Sequence, residues 1–248
     1  MESIHIGTSG YHYKHWHGLF YPAGTKPAAY LNYYLNFFNT VEINNSFYRL
    51  PTYEIFAAWR QAVPDSFVFS VKASRYITHL KKLKDPQQSI ANFLQNVVAL
   101  EEKLGPILFQ LPPRWTCDPE RLRQFLQALP TGFLYTFEFR DHSWYNEEVY
   151  ALLRQHQVAF CIYDLEQHQS PVIATTNFVY IRLHGPVGKY DGSYSDAVLQ
   201  NWAEAAWSWA QEGKAVYIYF DNDIGGHAVV DAQRLRAFVN TLTATGSI

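Results

Sequence analysis

The chain has 248 residues and a formal net charge of −2, from 20 Lys and Arg against 22 Asp and Glu. Hydrophobic residues make up 48% and charged residues 17%, which excludes a disordered chain and allows a sizeable core. The nearest approach to a basic block is Lys81, Lys82 and Lys84, too small for a duplex surface, so nucleic acid is not the expected partner.

In chain order, residues 4–8 (IHIGT) read as a first strand. A long aromatic loop follows to Pro22, carrying Tyr11, Trp16 and the histidines His12, His15 and His17. Residues 27–38 have helical spacing, and 40–44 (TVEIN) form a second strand with Glu42 and Asn44 on one face. A helix over 53–62 leads to a third strand over 67–72, which ends on Lys72. Asp85-Pro86 starts a helix running to about residue 104, with Asp85 as its cap and Gly105-Pro106 as its stop. The fourth strand, 107–111, carries Gln110, and a helix opens at Asp118-Pro119. The stretch YTFEFRDHSW, residues 135–144, begins as the fifth strand, with Thr136, Glu138 and Arg140 on one face. Next come a helix over 147–155, a sixth strand over 159–164 ending on Asp164, and a seventh over 178–184. The seventh places Tyr180, Arg182 and His184 on one face. A Trp-rich helix over 195–212, an eighth strand over 215–221 and a helix over 229–242 complete the chain.

Eight strands mostly separated by helices, in about 250 residues with no linker-like break, predict an α/β fold, a single (β/α)8 TIM-barrel-like domain over 1–248. An open doubly wound sheet would meet helices on both faces and need both faces apolar. Strands two, three, five and seven instead carry polar residues near their ends, as a barrel interior open at its mouth allows. The two cysteines make no disulfide framework or zinc motif, no apolar run reaches 18 residues, and no leader is evident. The expected setting is therefore cytoplasmic and away from membranes, and no cofactor motif appears.

Active sites of barrels lie at the C-terminal ends of the strands, where several strands each deliver a side chain. The inward candidates there are Glu42, Asn44, Lys72, Gln110, Glu138, Arg140, Asp164, Arg182 and His184, with Asp221 or Asn222 from the last strand. Glu42 and Glu138 are the expected acid/base pair, and His184 a further proton-transfer group. Lys72, Arg140 and Arg182 suit an anion, although the same cations also suit mutual neutralisation with the carboxylates. Asn44, Gln110, Asp164 and Asn222 would supply hydrogen bonds, and Tyr11, Trp16 and Tyr190 would close over the ligand. The reading is an enzyme for a small polar substrate, anionic or polyhydroxylated. The alternatives are non-catalytic binding of a phosphorylated metabolite or nucleotide, and a metal-dependent phosphoesterase or isomerase using Glu138, Asp164, His184 and Asp221. The three nearby cations count against the metal, so no metal or other cofactor is expected.

Several long motifs, in order, resemble the YecE-like family, a domain of unknown function. They are GTSGYHYKHWHGLFYP at 7–22, VEINNSFYRLP at 41–51, FSVKASRYITH at 69–79, LFQLPP at 108–113, FEFRDHSW at 137–144, YIRLHG at 180–185 and YFDND at 219–223. The resemblance implies a TIM-barrel-like fold and names no reaction. It also implies that Asn222, rather than Asp221, carries any role shared with the family, whose last motif reads Phe-Asn-Asn.

Overall fold

The computed structural model describes residues 3–246. In chain order its elements are β1 (Ile4–Thr8), α1 (Tyr30–Tyr34), β2 (Thr40–Ile43), α2 (Tyr53–Ala62), β3 (Val68–Lys72), α3 (Pro86–Val97), β4 (Leu104–Gln110), α4 (Pro119–Gln127), β5 (Tyr135–Glu138), α5 (Glu147–Gln155), β6 (Ala159–Leu165), β7 (His168–Gln169), β8 (Phe178–Leu183), α6 (Asp196–Gln211), β9 (Ala215–Phe220) and α7 (His227–Thr245). They fall into two compact units. The first comprises Met1–Glu42, Ile162–Val172 and Asn177–Ile248; the second comprises Ile43–Cys161 and Ile173–Thr176.

In the first unit β1 and β8 flank β9, both parallel to it, with Thr8 and Leu183 in register with Phe220. β8 is buried along its whole length, so its alternation separates two kinds of interior. Val179, Ile181 and Leu183 take one face; Tyr180 and Arg182 take the other. A Cβ on Gly7 would lie 2.3 Å from the Thr40 carbonyl oxygen, so only glycine lets β1 approach β2 this closely. Ser195 caps α6 by accepting from the Val198 N–H, and Gly213, at φ +80°, ends the helix.

In the second unit β3, β4, β5 and the start of β6 pair in parallel, with Gln110 opposite Glu138. Asp118 caps α4 through the Arg121 N–H at 3.0 Å, with Pro119 at the first helical position. Lys103 donates to the Arg60 and Val63 carbonyls at 2.9 and 2.8 Å, satisfying groups left open at the end of α2.

Local expectations differ from the structure at five places. Residues 27–38 make only a 3-10 turn and the five-residue α1. Gly105 and Pro106 do not stop a helix. α3 ends at Val97, a 3-10 segment follows, and β4 has begun by Leu104. Gly105 belongs in that strand because a Cβ there would lie 2.5 Å from Val68 Cγ1. Asp85 precedes α3 in a left-handed conformation with no capping bond, and its carboxylate meets Lys81 at 3.0 Å instead. Arg140 lies beyond β5, which ends at Glu138. A short antiparallel strand, β7, folds back on β6, which no pattern announced. Among the described residues no helix is long and apolar enough to cross a membrane.

Candidate active site

Backbone bonds gather the strand ends of the first unit. Ser9 N donates to Phe220 O, Gly10 N to Glu42 O and Asp221 N to Leu183 O, each at 2.8 Å; His184 N donates to Asp164 O at 2.9 Å. Their side chains form a buried charged network around Arg182, which is wholly shielded from solvent. Arg182 Nε donates to Glu42 Oε2 at 3.0 Å and its NH2 to Glu42 Oε1 at 2.9 Å. The same NH2 donates to Asp221 Oδ2 at 2.9 Å and reaches Ser9 Oγ at 3.1 Å. Glu42 also accepts from Tyr180 OH at 2.6 Å and from Ser9 Oγ. Burying an ion costs several kcal/mol unless its hydrogen-bonding capacity is met. Glu42, with four donor groups on two oxygens, meets that condition. Its geometry is that of a fixed acceptor that aims Arg182.

His184 Nδ1 lies 2.9 Å from Asp221 Oδ2, and its Nε2 lies 3.3 Å from Arg182 NH1. The imidazole is therefore held between a carboxylate and a guanidinium, both of them buried.

Two further carboxyls flank this network. Asp223 is pushed up to about 6, first by burial and then by the charge of Asp221, with His15 pulling the other way. His15 Nε2 lies 3.3 Å from Asp223 Oδ2, and Trp16 Nε1 donates to the Asp223 carbonyl at 2.9 Å. Burial also raises Asp164, whose Oδ1 is enclosed without a hydrogen-bond partner. Tyr13 donates to the Ser9 carbonyl, and its hydroxyl is held far above its usual range by burial and then by Asp221, Asp223 and Glu42.

The loop after β8 is constrained. A Cβ on Gly185, at φ +109°, would lie 2.2 Å from the Asp191 carbonyl oxygen. Tyr190 is left-handed at φ +67°, which costs a non-glycine residue about 1–3 kcal/mol. Its N–H donates to His184 O at 2.8 Å and its ring lies 5.7 Å from the imidazole. Asn222 spends its amide on the Gly192 carbonyl and on Asp231, at 2.8 and 2.9 Å, tying this loop to α7.

The second unit holds a different group of expected residues. Glu138, fully buried, pairs with Arg140. Lys72 is buried with Nζ 4.4 Å from the Phe47 ring centroid, and Asn44 Oδ1 is enclosed without a partner. His79 is pushed down to about 4 by burial and then by Lys72, Arg75 and Arg140, with Glu138 opposing.

The expected site residues thus divide between the units. Tyr11, Trp16, Glu42, Asp164, Arg182, His184, Tyr190 and Asn222 lie in the first; Asn44, Lys72, Gln110, Glu138 and Arg140 lie in the second. Among the described residues no three His, Cys, Asp or Glu side chains converge to hold a metal ion.

The family model for the protein of unknown function DUF72 matches residues 5–246. The chain belongs to the DUF72 family. Its relatives include the UPF0759 protein YunF of Bacillus subtilis (strain 168), 24% identical across 94% of this chain and 93% of that one. The UPF0759 protein YecE of Escherichia coli (strain K12) is 33% identical across 50% of this chain and 47% of its own. A crystal structure of a DUF72 family protein from Thermotoga maritima MSB8 has a TM-score of 0.86 at 30% identity, covering 96% of this chain and 99% of that one. A second, from Enterococcus faecalis V583, has a TM-score of 0.82 at 22% identity, over 96% and 95% of the two chains, and bears on the fold alone. The fold of this DUF72 chain is accordingly α/β and TIM-barrel-like.

Sequence reasoning passed over four side chains of the first unit's network. Ser9 follows β1 directly, and Tyr180 shares the face of Arg182 two residues earlier; both positions were readable from strand period. Asp223 and His15 were not, because their pairing joins loops 208 residues apart. Trp16 was expected to face a ligand; it is wholly buried, pinning the aromatic loop instead.

Proposed function

We propose that the protein is an acid/base enzyme acting on a small polar substrate, anionic or polyhydroxylated, at the strand ends of its first unit. The observation that carries this reading is Asp223, a carboxyl raised to about 6 beside Asp221, which is bonded to Arg182. Neighbouring acids in unlike environments can divide acid and base roles, and a group titrating near neutrality exchanges protons efficiently.

Asp223 is the proton-transfer group in this scheme. Asp221 and His184 form the polar wall behind it, and Glu42 holds Arg182 in position. Asp164 offers an enclosed carboxylate oxygen to a substrate hydroxyl. Tyr13 and Tyr190 supply aromatic surface, which suits a flat or polyhydroxylated ligand.

The test is turnover of a panel of hydroxy acids, sugars and their phosphates, followed by product mass, for the native chain and for Asp223→Asn. General acid/base catalysis is worth about 10²–10⁴-fold, so a loss of that order with the fold retained is expected. The native pH profile should bend near pH 6. Turnover that ignores the substitution sinks the assignment.

A further inference from the structure

We propose that the first unit binds a small monocarboxylate with an apolar or aromatic body, in a cavity where β1 starts. Arg236 is the group that recognises the carboxylate. This inference goes beyond the acid/base reading, whose groups lie where β1 ends, and does not depend on it.

The cavity holds about 490 Å³, inside the range of roughly 300–1,000 Å³ usual for small-molecule pockets. Every residue that lines it belongs to the first unit. β1 supplies Ile4 and Ile6, and the turn after α1 supplies residues 35–39. α7 supplies Arg236, Val239 and Asn240, whose i, i+3, i+4 spacing puts them on one helical face. The end of α6 adds Trp207 and Gln211. Ile6, Phe38 and Val239 are buried and make an apolar inner wall, while Asn39, Gln211 and Asn240 are exposed amides around it.

Arg236 is positioned without being neutralised. Its Nη1 donates to the Phe37 carbonyl, and its guanidinium carbon lies 5.9 Å from the Phe38 ring centroid. That anchor is itself fixed. Phe37 N and Phe38 N both donate to Tyr34 O, and the Phe37 ring packs against Phe20 at 5.1 Å and Tyr33 at 5.3 Å. Among the described residues Arg236 makes no ion pair, and its Nε and Nη2 make no hydrogen bond. Two such donors on one guanidinium match the two oxygens of a carboxylate, and a side chain already held loses little freedom on binding. Arg236 is also the sole charged side chain among the described residues that line the cavity. One positive charge beside an apolar wall fits one negative charge on an apolar body; a phosphate dianion would leave a charge unmet. The last carbonyls of α6, which would repel an anion, are engaged: Ser208, Trp209 and Ala210 accept from Glu212, Lys214 and Gly213. No carboxyl, histidine or cysteine lines the cavity among the described residues, so the site serves binding and not proton transfer.

Phenylacetate is the probe, with phenylacetamide as its neutral isostere and acetate as the carboxylate without a body. Binding is followed by NMR at the Trp207 indole N–H and the backbone amides of residues 36–39, at constant ionic strength. Phenylacetate should saturate in the millimolar range or tighter. Phenylacetamide should bind about tenfold more weakly or worse, because it lacks the charge-assisted hydrogen bonds. Acetate should also bind more weakly, since it buries no apolar body. Arg236→Gln, at an exposed position, should weaken phenylacetate by about tenfold and leave phenylacetamide where it was. Equal binding of acid and amide by the native chain would overturn the proposal. So would acetate binding as tightly as phenylacetate, phenylacetate binding untouched by Arg236→Gln, or no saturable shift at these positions in the millimolar range. None of these readouts involves Asp223 or turnover, so this site and the proposed reaction fail separately.

Discussion

The two units apply one electrostatic rule with opposite signs. In the first, Glu42 and Asp221 hold a single buried guanidinium, and two further carboxyls are pushed up, Asp164 by burial and Asp223 by burial and then by the charge of Asp221. In the second, burial and then the charges of Lys72, Arg75 and Arg140 push His79 down, with Glu138 opposing. Burial leads in each of these shifts, because it disfavours whichever form is charged. The carboxyls of the first unit therefore keep protons longer than usual, which suits proton transfer, and the histidine of the second gives its proton up early. The difference also separates structure from chemistry. Where charge is matched donor for acceptor, as at Glu42 and Arg182, the group is rigid and committed.

The matched centre should be the most costly place to disturb. Glu42→Ala leaves the Arg182 guanidinium buried without its bidentate partner, and breaking a buried pair from one side typically costs about 3–5 kcal/mol. Urea denaturation measures it. A loss below about 1 kcal/mol, the range of exposed pairs, would show that Glu42 is not the anchor of the first unit.

Asp223 should behave in the reverse sense. Its folded value, about 6, lies above the ordinary 3.8, so between those values the folded state holds more proton than the unfolded state. That contribution to stability is full below about pH 4 and is lost as pH rises through about 6. Asp223→Asn escapes the loss. It should leave stability unchanged below about pH 4 and raise it by about 2 kcal/mol at neutral pH, less than the full shift implies because the His15 contact goes too. The variant would be more stable and, on the proposed function, inactive. Denaturation at several pH values checks the first half. A destabilised variant at neutral pH would break the contrast between a strained acid and a matched one.

Glu138→Gln tests the second unit. The amide can still accept from Arg140 but loses the charge, and hydrogen bonds to charged groups are worth about 1.5–3 kcal/mol, of which part survives. The fold should persist with a loss of about 1 kcal/mol. His79 should titrate still lower, because the Glu138 charge raises it. An upward move of His79 would take the Glu138 charge out of the field at His79.

How much of this was legible in the sequence follows from range. Strand period and helix caps are local, so the strands, the α4 opening and the common face of Tyr180, Arg182 and His184 could be read directly. Proline and glycine misled at Gly105-Pro106, because the same residues that end a helix also admit close strand packing. Among the site residues, type and approximate position were legible; partners were not. Glu42 looked like a catalytic acid because sequence shows its charge but not the four donor groups that occupy it. Asp223 lay inside a quoted motif without a role, because its shift depends on burial and on Asp221, both products of the finished fold. His79 lay inside a quoted motif without a role, since nothing in one dimension places Arg140 near it.

Arg75→Gln should give the smallest effect and the cleanest sign. The residue is exposed and makes no ion pair among the described residues, so stability at neutral pH should move by no more than about 0.5 kcal/mol. Its charge nevertheless lowers His79. Because His79 sits below its ordinary 6.5 in the folded state, the unfolded state binds more proton between about 4 and 6.5, and stability rises with pH across that window. Removing Arg75 should move the His79 midpoint upward and flatten that rise, while stability above pH 6.5 stays where it was. NMR titration of the ring and denaturation across the window give the two halves independently. A midpoint that stays put would take Arg75 out of the field at His79, and leave burial, Lys72 and Arg140 to account for it.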